Sequence, residues 1–435
     1  MLKNHLKITG FIISIIVLNL INANAAGWTI AAHDPFPTAI PDHIILTWSD
    51  DPANTQSVTW RTDTSINESR AEIAEADASP NFTFYAKQVK AETQNLALDD
   101  YSANYHSITF DSLKSNTLYT YRVGSENNWS AWFQFRTAGK KPEPFSFIYL
   151  GDGQNALLSL WSRAIRAAYS TAPDSRFIIH GGDLVANADS YLQWSKWFKA
   201  AGWINGMIPS IPVAGNHEYY HKLTKNRQLT PYWFPQFTLP ANGIKKLTES
   251  NYFIDYQGLR VIVLNSNELI EEQAKWLEKI SNSNPNRWTI ASFHHPIYSG
   301  ARGRDQEEIR NSWQPLFQKH GIDLVLNGHD HTYARGDNID AEDGIAYVVS
   351  VSGPKQYILN DDRWMTRSAE NTQLFHVIHV DKNVMNIKSH TVTGQLYDEF
   401  DIQKNDSGPN TIIDRQNRDI PERTFDNTLS KQEKP

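Results

Sequence analysis

The sequence predicts an all-β sandwich followed by an α/β domain, on three observations. At 435 residues the chain exceeds what one ordinary core accommodates, so two domains are expected. Short runs with alternating apolar residues fill residues 28–139. From residue 143 apolar runs alternate instead with amphipathic stretches of helical period, as parallel strands joined by helices do.

Residues 1–25 read as an export signal. Lys3 and Lys7 precede the apolar core FIISIIVLNLI, and the small residues of ANAAG offer cleavage near Ala25. That core is shorter than the ~20 residues of a comfortable membrane span. The expectation is a periplasmic or secreted protein with no stable span once the signal is removed, an uncleaved anchor being the alternative. The chain has no cysteine, which excludes disulfides, thiolate metal sites and a Cys nucleophile. A formal net charge of −7 gives no basic footprint for a nucleic-acid backbone.

The sandwich reading rests on HIILTW, SVTWRT, YHSITF, LYTYRVG and SAWFQFRT, separated by turn clusters such as DDPANTQ and SENNW. Pro142 and Pro144 mark a linker. In residues 143–402 the runs FSFIYLGD, SRFIIHGGD, SIPVAGNHE, LRVIVLNS, RWTIASFHH and GIDLVLNGH predict strands. ALLSLWSRAIRAAYS, YLQWSKWFKAAGW, EEQAKWLEKIS and QEEIRNSWQPLFQKHG predict helices. AYVVSVSG, LFHVIHVD and VMNIKSHTV lack helices between them and are expected to finish a sheet. Residues 403–435 are polar, with few large apolar groups, and are expected to be disordered.

In such domains functional groups gather at the carboxyl ends of strands. Here those ends carry Asp152, Asp183, Asn216 with His217, His294 with His295, and His329 with His331. Each alone has an ordinary explanation: a helix N-cap, a turn, a surface histidine. Together they form a set of hard oxygens and imidazoles suited to first-row divalent or trivalent metals. One metal leaves ligands over, whereas two metals sharing a carboxylate use them all.

GDGQ, GGDL, GNHE, HHP and GHDHTYAR, in this order, resemble the calcineurin-like metallophosphoesterase superfamily. With the sandwich in front, the nearest resemblance is to purple acid phosphatases with a fibronectin-III-like N-terminal domain, over residues 41–391. The resemblance implies a metallophosphoesterase β-sandwich flanked by helices. It implies two metal ions (Fe, Mn, Zn or Mg), one held by Asp152, Asp183 and His331, the other by Asp183, Asn216, His294 and His329, with Asp183 bridging. Extended backbone at His329 and His331 is expected to send both side chains one way. His217 corresponds to the family's acid/base group, with orientation of a ligand as the alternative.

Two departures stand out. Purple enzymes place a tyrosinate where this chain has Ala186, and the wider superfamily places a His where it has Gln154. The Gln154 carboxamide is either a substitute ligand or only a hydrogen-bonding neighbour. Gly303 and Arg304 replace a His pair of plant-type enzymes. This leaves His295 and Arg304 as candidate phosphate contacts beside Asn216, with solvated surface the other reading for Arg304. Tyr219, Tyr220, His221 and the loop PYWFPQFTLPANG either wall the cleft or pack between domains. Tyr333 and Arg335 are expected to brace the last histidine loop.

The implied function is hydrolysis of small phosphate monoesters by a metal-bridging hydroxide, as in acid phosphatases. A phosphodiesterase acting on nucleotides or phospholipid headgroups is the alternative. A non-catalytic metal-binding or adhesion protein is the alternative of another class.

Overall fold

Alternation of apolar side chains folds the N-terminal segment into two facing sheets. The computed structural model describes residues 33–98, 100–220, 228–337, 343–360, 363–417 and 419–424. The export-signal segment and His221 lie outside these residues. One sheet runs in the order Asp42–Thr47, Gln56–Thr62, Tyr101–Phe110, Glu92–Leu98. The other runs Lys87–Lys90, Arg70–Glu75, Leu118–Ser125, Asn128–Trp129, with Phe133–Arg136 also pairing with Leu118–Ser125. Leu46, Val58, Trp60, Ala71, Val123 and Phe135 fill the space between them.

The strand Gln56–Thr62 of the first sheet is buried on both faces, whereas the edge strand Glu92–Leu98 is mostly exposed. Every residue of Gln56–Thr62 is buried, because the outer face lies against the α/β domain. Ile45, Trp48, Tyr101 and Tyr105 belong to that domain's core cluster. The Trp48 ring lies 6.0 Å from Phe177 and 5.6 Å from Tyr256. Thr47 Oγ1 donates to the Thr238 carbonyl at 2.7 Å, and Tyr121 Oη to that of Gly206 at 2.7 Å. The aromatic loop after residue 230 joins this contact: Tyr232 packs 5.6 Å from Tyr101, which stacks on Tyr191 at 4.9 Å.

The second half is two seven-stranded sheets. In the first, Phe145–Leu150 is third from one edge, parallel to Ile178–His180 and then Ser210–Pro212 on that side. On its other side follow the antiparallel strands Leu374–Val380, Val384–Thr391, Leu396–Gln403 and Thr411–Asp414. The second runs Tyr252–Tyr256, Leu259–Val263, Trp288–Ser292, Leu324–Asn327, Ala346–Val349, Tyr333–Asp337, Met365–Ala369. Alternation divides its faces. Val261, Val263, Ile290, Leu324 and Leu326 meet the first sheet. Ile262, Ala291 and Val325 meet the helices Ile270–Asn282 and Glu307–His320. Helices Ser162–Thr171 and Tyr191–Ala201 belong to the half of the chain that builds the first sheet. Among the described residues no helix is long and apolar enough to cross a membrane.

Two sequence expectations are corrected. The three late strand runs finish two sheets, since Ala346–Val349 inserts into the second while the others extend the first. The segment after residue 403, expected to be disordered, supplies the edge strand Thr411–Asp414. Lys404 Nζ and Asn410 Nδ2 reach the buried Asp323 carboxylate at 2.5 and 2.7 Å. Backbone pairing at a free edge, the buried Asp323 and the packing of Ile412 and Ile420 on the core hold the segment, few as its apolar side chains are.

Because both halves share one core, we expect a single cooperative unfolding transition. Trp48→Ala should lower its free energy by about 3–5 kcal/mol. Denaturation followed by fluorescence and circular dichroism checks this, and two resolved transitions would contradict it.

Candidate metal centre

Five loops meet between the carboxyl ends of the two sheets. Asp152 follows Phe145–Leu150, Asp183 follows Ile178–His180, and Asn216 follows Ser210–Pro212. From the second sheet His294 follows Trp288–Ser292, and His329 follows Leu324–Asn327. One ligand atom each from Asp152, Asp183 and His294 lie within 4.8 Å of one another, all three residues buried. This cluster has the composition and spacing of a metal-binding site.

The backbone is strained to bring the side chains in. Asp183, His329 and His331 have φ of +48°, +73° and +47°, costly for residues with a Cβ. The histidine pair is therefore not on extended backbone as expected. It sits on a bend in which the Asp330 N–H donates to the Gly328 carbonyl at 2.9 Å. Glycine precedes it for want of space: a Cβ at Gly328 would lie 2.1 Å from Asp152 Oδ1. His329 N–H donates to that oxygen at 2.7 Å, and His217 N–H donates to Asp183 Oδ1 at 2.8 Å.

Backbone carbonyls set the tautomers. His294 Nδ1 lies 3.0 Å from the Gly181 oxygen and His331 Nδ1 2.9 Å from that of Lys355. A carbonyl only accepts, so each Nδ1 carries the hydrogen and, in the neutral ring, each Nε2 has a lone pair. Yet His331 Nε2 faces Asp152 Oδ2 at 3.0 Å, and His294 Nε2 faces Asp183 Oδ1 at 3.2 Å. Asp152 Oδ2 is buried and accepts no hydrogen bond. Lone pairs so opposed repel unless a positive charge lies between them. A cation satisfies both contacts, so the residues fit a metal.

The electrostatics show the same demand for positive charge at this point, which a proton on His294 Nε2 meets when no metal does. Burial would lower the His294 pKa, but Asp183 and Asp152 outweigh it and hold it up at about 9. Burial likewise works against the Asp183 carboxylate, and the fields of His294 and His217 still keep it below its ordinary range. Burial, and after it the field of His294, push His329 far down.

The other residues expected as ligands lie beside this three-residue cluster. Asn216 Oδ1 lies 2.9 Å from His329 Nδ1 and 3.1 Å from His294 Nε2. Gln154, considered as an oxygen ligand, turns its Nε2 to Asp183 Oδ2 at 2.7 Å and to His331 Nε2 at 3.3 Å. That is the hydrogen-bonding alternative. Arg304, for which solvated surface was the other reading, reaches in: its guanidinium meets His329 Nε2, and its Nε lies 3.0 Å from Asp330 Oδ1. The His295 ring is 4.2 Å from that of His329, with Nδ1 2.8 Å from Ser266 Oγ. His217 Nδ1 donates to the Ala186 carbonyl at 2.6 Å, and its Nε2 lies 3.8 Å from Asp183 Oδ2. Tyr219 instead packs away, its hydroxyl donating to Glu268 at 2.7 Å. Tyr333 and Arg335 bind Asp398 of the first sheet at 2.6 and 2.7 Å.

Sequence reasoning missed three residues. Glu218 accepts backbone N–H groups from Asp183, Leu184, Val185 and Gly215, at 2.8, 2.9, 3.4 and 2.8 Å. It thereby holds the loops of Asp183 and Asn216 together. Burial and Asp183 push its pKa up to about 8, against these donors. Asp330 holds the 300–301 turn and Arg304. Tyr357 covers His331, ring to ring at 4.6 Å, with Arg304 5.2 Å over its face. Glu218 and Asp330 lie inside motifs already read, whereas nothing in the sequence signals Tyr357.

Residues 41–137 match the family model of the purple acid phosphatase N-terminal domain, and residues 150–333 that of calcineurin-like phosphoesterases. Human acid phosphatase type 7 is 27% identical over 261 residues, 53% of this chain and 56% of that protein. The Fe(3+)-Zn(2+) purple acid phosphatase 12 of Arabidopsis thaliana is 26% identical over 283 residues, 60% of this chain and 58% of that protein. The matched segments thus span little more than half the length of these relatives. The yellow lupin purple acid phosphatase PPD1 shares the fold, with TM-score 0.71 and 20% identity over 84% of this chain and 75% of that one. PhoD does so with TM-score 0.65 and 11% identity over 90% and 95%.

Glu218→Gln replaces one acceptor oxygen by a donor and strands one or two buried N–H groups. At ~1–3 kcal/mol each, the expected loss of stability is about 3 kcal/mol, together with weaker metal retention. Denaturation and elemental analysis check this; unchanged values for both would refute the clamp.

Proposed function

We propose that this chain, which carries a calcineurin-like metallophosphoesterase domain behind a purple-acid-phosphatase-type N-terminal domain, is an exported phosphatase of small phosphate monoesters. The observation that carries the reading is the opposition of lone pairs on both sides of the centre, at His331–Asp152 and at His294–Asp183. Asp152, Asp183 and His331 would hold one cation, and Asp183, Asn216, His294 and His329 a second, with Asp183 shared. Fe, Mn, Zn and Mg all suit these donors. Bound there, such cations supply Lewis acidity toward phosphate oxygens and lower the pKa of water. The export reading rests on residues 1–25.

The remaining steps belong to the chain's own groups. The Ala186 carbonyl fixes the His217 ring through Nδ1. Its side chain is 28% exposed, so Nε2 can pass a proton to the leaving alkoxide. Arg304, oriented by Asp330, binds phosphate oxygens together with His295 and the amide of Asn216. No covalent enzyme intermediate is needed.

Asp183→Asn should abolish most hydrolysis of a monoester and lower the metal content, since a neutral amide replaces a charge shared by two cations. Full activity with unchanged metal would overturn the assignment. His217→Asn should slow hydrolysis of an alkyl phosphate by roughly 10²–10⁴-fold and barely affect a nitrophenyl phosphate, whose leaving group departs unprotonated. An equal loss on both esters, with metal depleted, would make His217 an orienting residue instead.

A further inference from the structure

We infer that a crevice behind the His331 loop is a second, non-catalytic site for a small phosphorylated polyol. Its volume is about 440 Å³, within the roughly 300–1,000 Å³ of small-molecule sites. Separate segments of the chain converge on it. They bring Arg163 from helix Ser162–Thr171, Gln356, Asn371, Thr393 and Gln395 from one hairpin turn, and Arg423. Among the described residues two guanidiniums line it and no carboxylate does, although the chain carries a net charge of −7.

The nearby acids are turned elsewhere. A Glu370 carboxylate oxygen accepts the Leu359 N–H at 2.7 Å, and a Glu422 oxygen that of Ser368 at 2.8 Å. Arg423 is oriented through Nε, which donates to Thr372 Oγ1 at 2.8 Å. Among the described residues no ion pair joins Arg163 or Arg423 to an acid. Planar forked donors suit a phosphate group, while the surrounding carboxamides and hydroxyls both donate and accept, as sugar-like hydroxyls require. The crevice shares no residue with the metal cluster, so the inference stands apart from the proposed catalysis.

The test is calorimetric titration of the metal-loaded full chain with the methylene phosphonate analogue of glucose 6-phosphate, which cannot be hydrolysed. We expect a binding event that Arg163→Gln and Arg423→Gln each weaken about tenfold, through loss of a charge-assisted hydrogen bond. Glucose alone should bind at least about tenfold more weakly, and nitrophenyl phosphate hydrolysis should be unchanged in both variants. Absence of binding, or binding equal to wild type in both variants, would overturn the site. So would equal affinity for glucose. Should Arg423→Gln fail to fold, Arg163→Gln decides alone, since Arg163 is exposed. Failure of hydrolysis in the wild-type chain would count against the proposed activity and leave this inference intact.

Discussion

The opposition of acceptor atoms at Asp152 and Asp183 is the constraint on which the rest of this structure depends. Four buried side chains point lone pairs at one another at 3.0 and 3.2 Å, a geometry that costs energy wherever no positive charge sits between them. Everything near the cluster serves to hold that geometry. Carbonyls of Gly181 and Lys355 fix the imidazoles through Nδ1. Glu218 ties the Asp183 turn to the Asn216 turn through four backbone N–H groups. Three residues with positive φ complete the convergence, their strain carried by the paired strands on either side.

That rigidity draws on the whole chain. The centre sits where two sheets end, so any sliding of one sheet on the other would open it. The N-terminal sandwich opposes such movement from outside, placing Trp48 and Tyr101 in the same apolar cluster as Phe147, Phe177 and Tyr256. The last polar segment does so from another edge, through backbone pairing and Asp323. Among the described residues neither supplies a group to the metal cluster. Their contribution is to its supporting shell.

The strand ends and the polar groups they carry were legible because strand, turn and polar group recur in a spaced pattern, while their division between two metals came from the family resemblance. Conformations that depend on distant partners were not. The bend at His329 and His331 follows from the crowding of Gly328 by Asp152, a contact across 176 residues that local alternation does not carry. Gln154 turns its nitrogen inward because Asp183 and His331 are both acceptors there. Arg304 reads as surface until Asp330, itself buried by the second sheet, draws it into the cleft. The tail reads as disordered because composition records the lack of apolar groups and not the open sheet edge beside it. Tyr357 gives no sign in the sequence, since a lone tyrosine in a loop acquires meaning only from the imidazole beneath it.

Anomalous diffraction from crystals of the protein grown with manganese tests the metal centre most directly. Two peaks are predicted, on either side of the Asp183 carboxylate, one beside Asp152 and His331 and the other beside His294, Asn216 and His329. A centre without a peak, or metal bound only elsewhere, would contradict the reading of these opposed lone pairs as a cation site.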